Sequence, residues 1–315
     1  MSATNDSPDK ETFELLSNQL GIGAAFVEKD WHVTRVIRII AELRYENFQI
    51  IFTGGTALAK AHNLLQRFSE DVDFRVIPSP EASPNRKSLS RFKDAVIEKL
   101  RQSGFMINVD QIKARDENRF FSVELDYESY FTRADALRPH IQVEVKVTNL
   151  QRPPVYLPVA SFVRTAATQP PEIEQIACID PVESAADKLS AITWRIPDRA
   201  RGGQHDDPSI VRHLHDLALL KDRALAAKDF PVLVADAMQE DDARAKNNPA
   251  FAGMSMNEKF NHMLRILGTD QEYPPEYVRF VQAMSYASEG DVPDFQTAMQ
   301  AVHALAKAAV GTDQS

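Results

Sequence analysis

The most constraining stretch of this chain is Phe52–Phe74, which reads F-T-G-G-T-A-L-A-K-A-H-N-L-L-Q-R-F-S-E-D-V-D-F. The apolar, β-branched run Asn47–Phe52 predicts a strand that enters it. Gly54-Gly55 breaks that strand, Thr56–Leu65 resumes a helical pattern, and Val72–Ile77 alternates as a half-buried strand does. Strand, glycine turn, helix and strand within so few residues require a small sheet with helices packed on it. Asp71 and Asp73 are separated by one residue, so on a strand their carboxylates point to the same face.

The rest of the chain extends this frame. Apolar residues recur at helical spacing from Phe26 to Leu43, and Ser88–Gly104 reads as an amphipathic helix ending at a capping glycine. Phe120–Tyr127 and His140–Val147 alternate with period two and predict further strands. Residues 1–10 read as a solvated tail and Ser79–Asn85 as a loop. The prolines of Gln151–Pro158 and Gln169–Pro171 mark the best candidate for a linker. Beyond them, helix-like patterning covers Val182–Arg195, Ser209–Lys228, Asp229–Arg244, Met256–Leu267, Pro275–Ser288 and Asp294–Val310. The expected fold class is α+β, with a mixed sheet flanked by helices in residues 1–165 and a helical domain in residues 166–315.

Composition narrows the function. The 315 residues carry a formal net charge of -9, which argues against coating nucleic acid by bulk charge. Cys178 is the single cysteine, so neither an intrachain disulfide nor a cysteine-based zinc cluster can form; its ordinary role is a small buried hydrophobe. No apolar stretch is long enough for a membrane span, and the polar start is unlike a signal peptide. The expectation is a cytoplasmic protein with no membrane partner.

Two adjacent carboxylates repel unless a cation neutralises them, and hard divalent ions such as magnesium or manganese bind oxygen ligands and carry nucleotide phosphates. A third carboxylate on a neighbouring strand would complete such a site. Glu144 is the candidate, with Glu124 and Asp126 as weaker choices. Gly54 and Gly55 would let the backbone approach a phosphate, and Thr56 could add a hydroxyl contact. Taken singly, a Gly-Gly pair is often only a tight turn and an Asp-x-Asp only a solvated strand edge. Their order here is far more specific than either alone.

That order, with Leu58, Lys60, Arg67, Ser69 and Phe74, resembles the first motif of the AbiEii/AbiGii-type nucleotidyltransferase toxins, including their mycobacterial MenT-like members. These belong to the DNA polymerase β-like nucleotidyltransferase superfamily. VEKDWHVTRVI at 27–37 resembles the family's leading helix, DKLSAITWR at 187–195 its lysine motif, and RHLHDLALL at 212–220 its later Asp-Leu motif. Lys60 departs from the arginine common at its position. The resemblance implies metal binding by Asp71 and Asp73, and a contact of Lys188 with the NTP phosphates. It places Asp216 near the site, as a base or as a structural carboxylate holding Lys188. Arg67 and Ser69 would flank the metals, with Arg67 steering phosphate through its donor fork. In some relatives the serine at the Ser69 position is phosphorylated, and the resemblance extends that expectation to Ser69.

The implied activity is transfer of a nucleoside monophosphate from an NTP to an acceptor such as the tRNA 3′ end, within a toxin–antitoxin or phage-defence system with a cognate antitoxin. Arg195, Arg199, Arg201 and Arg212 form the one basic cluster that could serve RNA, and a solvated helix end explains them equally well. His213 and His215, two apart on a helix, face different directions and make a poor metal pair; His205-Asp206-Asp207 reads as a solvated loop. A protein kinase or protein-nucleotidylating enzyme on the same fold is the first alternative, and a catalytically inactive nucleotide-binding module the second.

Overall fold

The computed structural model describes residues 7–45, 48–79, 84–203, 206–244 and 253–311. The chain divides into two compact units, one of residues 1–63 and 68–179, the other of residues 64–67 and 180–315.

Among the described residues, the first unit is built on eight strands: β1 (Phe48–Thr53), β2 (Val72–Pro78), β3 (Met106–Ile107), β4 (Lys113–Arg115), β5 (Phe120–Asp126), β6 (Ile141–Val147), β7 (Val155–Val159) and β8 (Ile173–Cys178). Their order is β3-β5-β6-β2-β1-β8-β7, with β4 also paired to β5. The pairs β2–β6 and β1–β8 are parallel and the others antiparallel, so the sheet is mixed. Its helices are α1 (Lys10–Leu20), α2 (Ala24–Ala41), α3 (Gly54–Lys60), α4 (Arg86–Gln102) and α5 (Phe162–Ala166).

The period-two pattern decides which face of the sheet is which. On β2, Val72, Phe74 and Val76 are buried; on β6, Ile141, Val143, Val145 and Val147 are. These side chains share one core with Val33, Val36, Ile37 and Ile40 of α2 and with Leu89, Phe92, Val96 and Leu100 of α4. The intervening residues Asp73 and Arg75 of β2, and Gln142, Glu144 and Lys146 of β6, occupy the opposite face. The sheet thus has one apolar face packed by helices and, on β2 and β6, an opposite face of polar residues.

The second unit is helical: α6 (Pro181–Asp198), α7 (Arg212–Ala226), α8 (Phe230–Arg244), α9 (Met256–Thr269), α10 (Tyr273–Met284) and α11 (Phe295–Val310). Asp180 caps α6 by accepting from the Val182 amide, and Pro181 takes the first-turn position where its missing N–H costs nothing. α6 packs on α7, α8 and α9, and α7 on α11, burying Leu189, Ile192, Leu214, Leu217, Val302 and Leu305. The short segment 64–67 joins this unit: Arg67 forms an antiparallel bridge with Ser285, and the Tyr286 amide donates to the Gln66 carbonyl at 3.1 Å.

Three sequence expectations need correction. The proline-rich region 151–171 is not a linker, because it contains β7 and α5 and leads into β8. Pro158 lies in β7, at the sheet edge, where a missing N–H removes no interior ladder bond. The compact units divide at Ile179–Asp180. The tail ends earlier than expected, since Asp9 caps α1 by accepting from the Thr12 amide at 2.8 Å; residues 1–6, Asn47, residues 80–83 and His205 lie outside the described residues. The pattern over Ser209–Lys228 is not one α-helix, for it opens with a 3-10 turn at Pro208–Val211.

Candidate active site

On the polar face of the sheet, Thr53 of β1 stands opposite Asp73, and Asp73 opposite Glu144 of β6, which in turn faces Ser122 of β5. Asp71 lies just before β2. Gly54 follows β1 with φ +78°. A Cβ built there would lie 2.0 Å from Asp73 Oδ2, so only glycine lets the turn approach this carboxylate. Thr56, fully buried, gives its single hydroxyl proton to the Asp71 carbonyl and accepts from the Ser69 hydroxyl at 2.9 Å. Its role is therefore to hold the Ser69–Asp71 loop against α3.

Arg138 joins the carboxylates. Its guanidinium donates to Asp71 Oδ1 at 2.6 Å and to Gln142 Oε1 at 2.8 Å, and the Gln142 amide donates to Glu144 Oε1 at 2.6 Å. Burial, reinforced by the Asp71 charge, raises the Glu144 carboxyl above its usual range. Such a group is penalised in the fold once ionised: the penalty is absent below the unfolded value of 4.5 and grows as pH rises toward and through the raised folded value. Glu144→Gln is therefore expected to melt higher than wild type at pH 7, by a few degrees at most, with the gap closing below pH 4.5. Thermal melts across that range check it; a variant that melts lower at pH 7 would contradict the direction.

Beside these groups, α2 carries three consecutive charged residues that are all buried. Glu28 accepts from the Ser129 hydroxyl and from the Tyr130 amide at 2.7 Å. Lys29 pairs with Glu70 and donates to the carbonyls of Arg138 at 2.6 Å and His140 at 3.0 Å. Asp30 pairs with Lys60 and accepts from the Phe162 amide at 2.8 Å. Lys60 thus spends its charge on α2. A point ammonium suffices for that single carboxylate contact, and the fork that an arginine would offer is not needed.

The second unit holds its own charged centre. Arg67 grips Asp216 with both arms of its fork, Nε to Oδ1 and Nη2 to Oδ2, each at 2.7 Å. Lys188 reaches Asp216 Oδ2 at 2.8 Å, and His215 Nδ1 lies 3.4 Å from Oδ1. Burial would raise the Asp216 carboxyl, but the Arg67 and Lys188 charges overcome it and hold the group well below 3.8. Asp216 is fully buried and stays ionised near neutral pH, which suits a structural carboxylate better than a base. The Arg67 fork is occupied by this pair. Burial, with the charges of Arg212, Lys188 and Arg195, depresses His213 well below 6.5.

A family model described as "Nucleotidyl transferase AbiEii toxin, Type IV TA system" matches residues 40–301. The chain belongs to this family. This AbiEii-family protein is therefore a nucleotidyltransferase, and membership implies an NTP substrate and a cognate antitoxin. Among solved structures it is similar to MenT4, a nucleotidyltransferase toxin from Mycobacterium tuberculosis H37Rv, at 16% identity and a TM-score of 0.49, over 93% of this chain and 98% of that one. No curated protein matches it.

Not every candidate residue of this AbiEii protein sits where the sequence indicated. The basic cluster is an ion-pair network and not a free patch. Arg195 and Arg212 both pair with Asp207, Arg199 with Asp206 and Glu276, and Arg201 with Asp270 and Glu276. Asp206 and Asp207 are accordingly ion-paired and not merely solvated. Glu124 lies 3.6 Å from His140 Nδ1, and Asp126 is exposed at the end of β5. Arg138, Gln142 and Glu70 escaped the sequence reading, which had Lys29 only as part of the leading helix motif. Among the described residues, no helix is long and apolar enough to cross a membrane.

Proposed function

We propose that this toxin transfers a nucleoside monophosphate from a magnesium-bound NTP to the 3′ end of an RNA, with tRNA the expected acceptor. The acceptor hydroxyl oxygen attacks the α-phosphorus, the bond to the β-phosphate oxygen breaks, and pyrophosphate leaves with the electron pair. The observation that carries this is the Asp73 carboxylate set against the Gly54 turn on the polar face of the sheet, with Asp71 just before β2 and linked through Arg138 and Gln142 to Glu144.

The donor set fits magnesium carried by a nucleotide. Such an ion takes one or two protein carboxylates and fills its remaining positions with phosphate oxygens and water. Among the described residues, no three His, Cys, Asp or Glu side chains form an all-protein cage, which this mode of binding does not require. The Arg138 guanidinium already lies against Asp71 Oδ1, so that oxygen faces a position that suits positive charge. Asp71 and Asp73 would hold the ion, with Glu144 as the third candidate. When bound, it would neutralise the triphosphate and polarise the α-phosphate. The chain's own part is positional: Gly54 admits the Asp73 carboxylate, Thr56 fixes the Asp71 loop, and Arg138 and Gln142 orient Asp71 and Glu144. Lys188 is proposed as a triphosphate contact on the strength of its motif, and the RNA acceptor on the resemblance of Gly54–Phe74 alone.

Purified protein incubated with total tRNA, magnesium and each α-labelled NTP is expected to label RNA with a single preferred nucleotide. Chelation should stop the labelling and added magnesium should restore it. Label recovered on protein would redirect the acceptor, and retained γ label would replace nucleotidyl transfer with kinase chemistry.

A further inference from the structure

We propose that Arg138 is a built-in counter-ion of the catalytic carboxylates, one that resists bare metal ions and yields to a metal–nucleotide complex. The proposal rests on the metal-dependent reading above. The two ends of Arg138 are held very differently.

The backbone of Arg138 is pinned. Its amide donates to Glu70 Oε2 at 3.0 Å, and its carbonyl accepts from Lys29 Nζ at 2.6 Å. Lys29 and Glu70 are themselves a buried ion pair, so the Cα of Arg138 is fixed from both sides. The side chain is not buried: it is 39% exposed, as is 31% of its partner Asp71. A fixed root and a half-exposed head make a guanidinium that can swing without disturbing the sheet. A pair so open to water is held weakly.

Its position gives the swing a consequence. The guanidinium occupies Asp71 Oδ1 and, through Gln142, is linked to Glu144. A divalent ion arriving alone must compete for Asp71 with a cation already in place, and it brings nothing for the displaced guanidinium to bind. An ion arriving with a triphosphate brings phosphate oxygens, which a planar five-donor fork binds well. Arg138 thus exchanges a carboxylate for a phosphate only when both parts of the substrate arrive together. The charge makes metal entry conditional on nucleotide.

The test is Mn²⁺ binding by the full chain, read without nucleotide from the paramagnetic resonance of free Mn²⁺, and with a non-hydrolysable NTP analogue from the Mn²⁺ retained with the protein on ultrafiltration, above a protein-free Mn²⁺–nucleotide baseline. Arg138→Gln should bind Mn²⁺ alone about tenfold more tightly than wild type, since the competing charge is gone. It should also gain less from added nucleotide. Arg138→Lys, which keeps the charge, should stay near wild type in nucleotide-free binding, and Asp71→Ala should abolish the gain seen with glutamine. If Arg138→Gln takes up bare Mn²⁺ no better than wild type while both bind it with nucleotide, the counter-ion role is wrong. If wild type takes up no Mn²⁺ even with nucleotide, the metal-dependent reading fails first and the proposal with it.

Discussion

Gly54→Ala is expected to abolish most nucleotidyl transfer while leaving the protein folded. The new Cβ would lie 2.0 Å from Asp73 Oδ2, 2.9 Å from its Cγ and 3.0 Å from its Cβ. A change of rotamer can move Oδ2 and Cγ away, but it takes the carboxylate with it, and the Asp73 Cβ must still give by a few tenths of an ångström. β2 cannot simply retreat either, since Asp73 is paired with Thr53 on one side and Glu144 on the other. The carboxylate must therefore move, and displacing a catalytic group by ~1 Å costs on the order of a hundredfold in rate. Backbone strain adds a separate cost, because φ at Gly54 is +78° and alanine there is disfavoured by ~1 kcal/mol. Gly104 separates the two effects. Its φ is +91°, yet nothing lies within 4 Å of a Cβ built on it. Gly104→Ala should thus lose about as much stability as backbone strain demands, ~1 kcal/mol, and keep its activity. Initial rates of label transfer and urea melts on both variants, beside Asp73→Ala, decide the matter. A Gly54→Ala enzyme within tenfold of wild type would mean that Asp73 does not need its observed position.

The parts of this site that the sequence displayed are those encoded by short-range pattern. Alternation exposed β2, β5 and β6 to within a residue or two, and the Gly54-Gly55 break marked the turn. Glu144 could be named because it occupies a polar position on an alternating strand. That β6 runs parallel to β2 with Glu144 opposite Asp73 is a property of pairing, which no local pattern carries. Arg138 was invisible for the same reason: it sits in irregular chain before β6, and its partner Asp71 is far away in sequence. Glu28, Lys29 and Asp30 fall in the leading helix that the resemblance marks, but nothing local shows that they are buried. They are buried because each meets an opposite charge or a backbone donor or acceptor from another segment, and burial of charge is unreadable without its partner. The arginines at 195–212 failed in the opposite direction. Their nearby acids Asp206 and Asp207 are evident in sequence, but Glu276 and Asp270, which complete the neutralisation, come from a distant helix and its approach.

Asp216→Ala is expected to destabilise the helical unit severely, by ~3–5 kcal/mol, because it removes the carboxylate that two buried cations share. Arg67 is 3% exposed and Lys188 8%. Both Asp216 oxygens are engaged, so the substitution removes contacts from both cations at once. The pH dependence follows from the depressed carboxyl. A group whose folded pKa lies below its unfolded value contributes stability fully above the unfolded value, near 3.8, and loses it only as pH falls through the folded one. The deficit of the variant should therefore be flat between about pH 5 and pH 8 and shrink only in strong acid. Urea unfolding at several pH values measures this directly. A triple variant, Arg67→Met with Lys188→Met and Asp216→Leu, should recover most of the lost stability, since removing every charge leaves none unpaired. It should nevertheless remain inactive if Lys188 serves the triphosphate. Recovery of fold without recovery of activity would separate the two duties of this cluster. A loss below ~1 kcal/mol in Asp216→Ala would instead mean that water reaches the cations and that Asp216 is free for a different task.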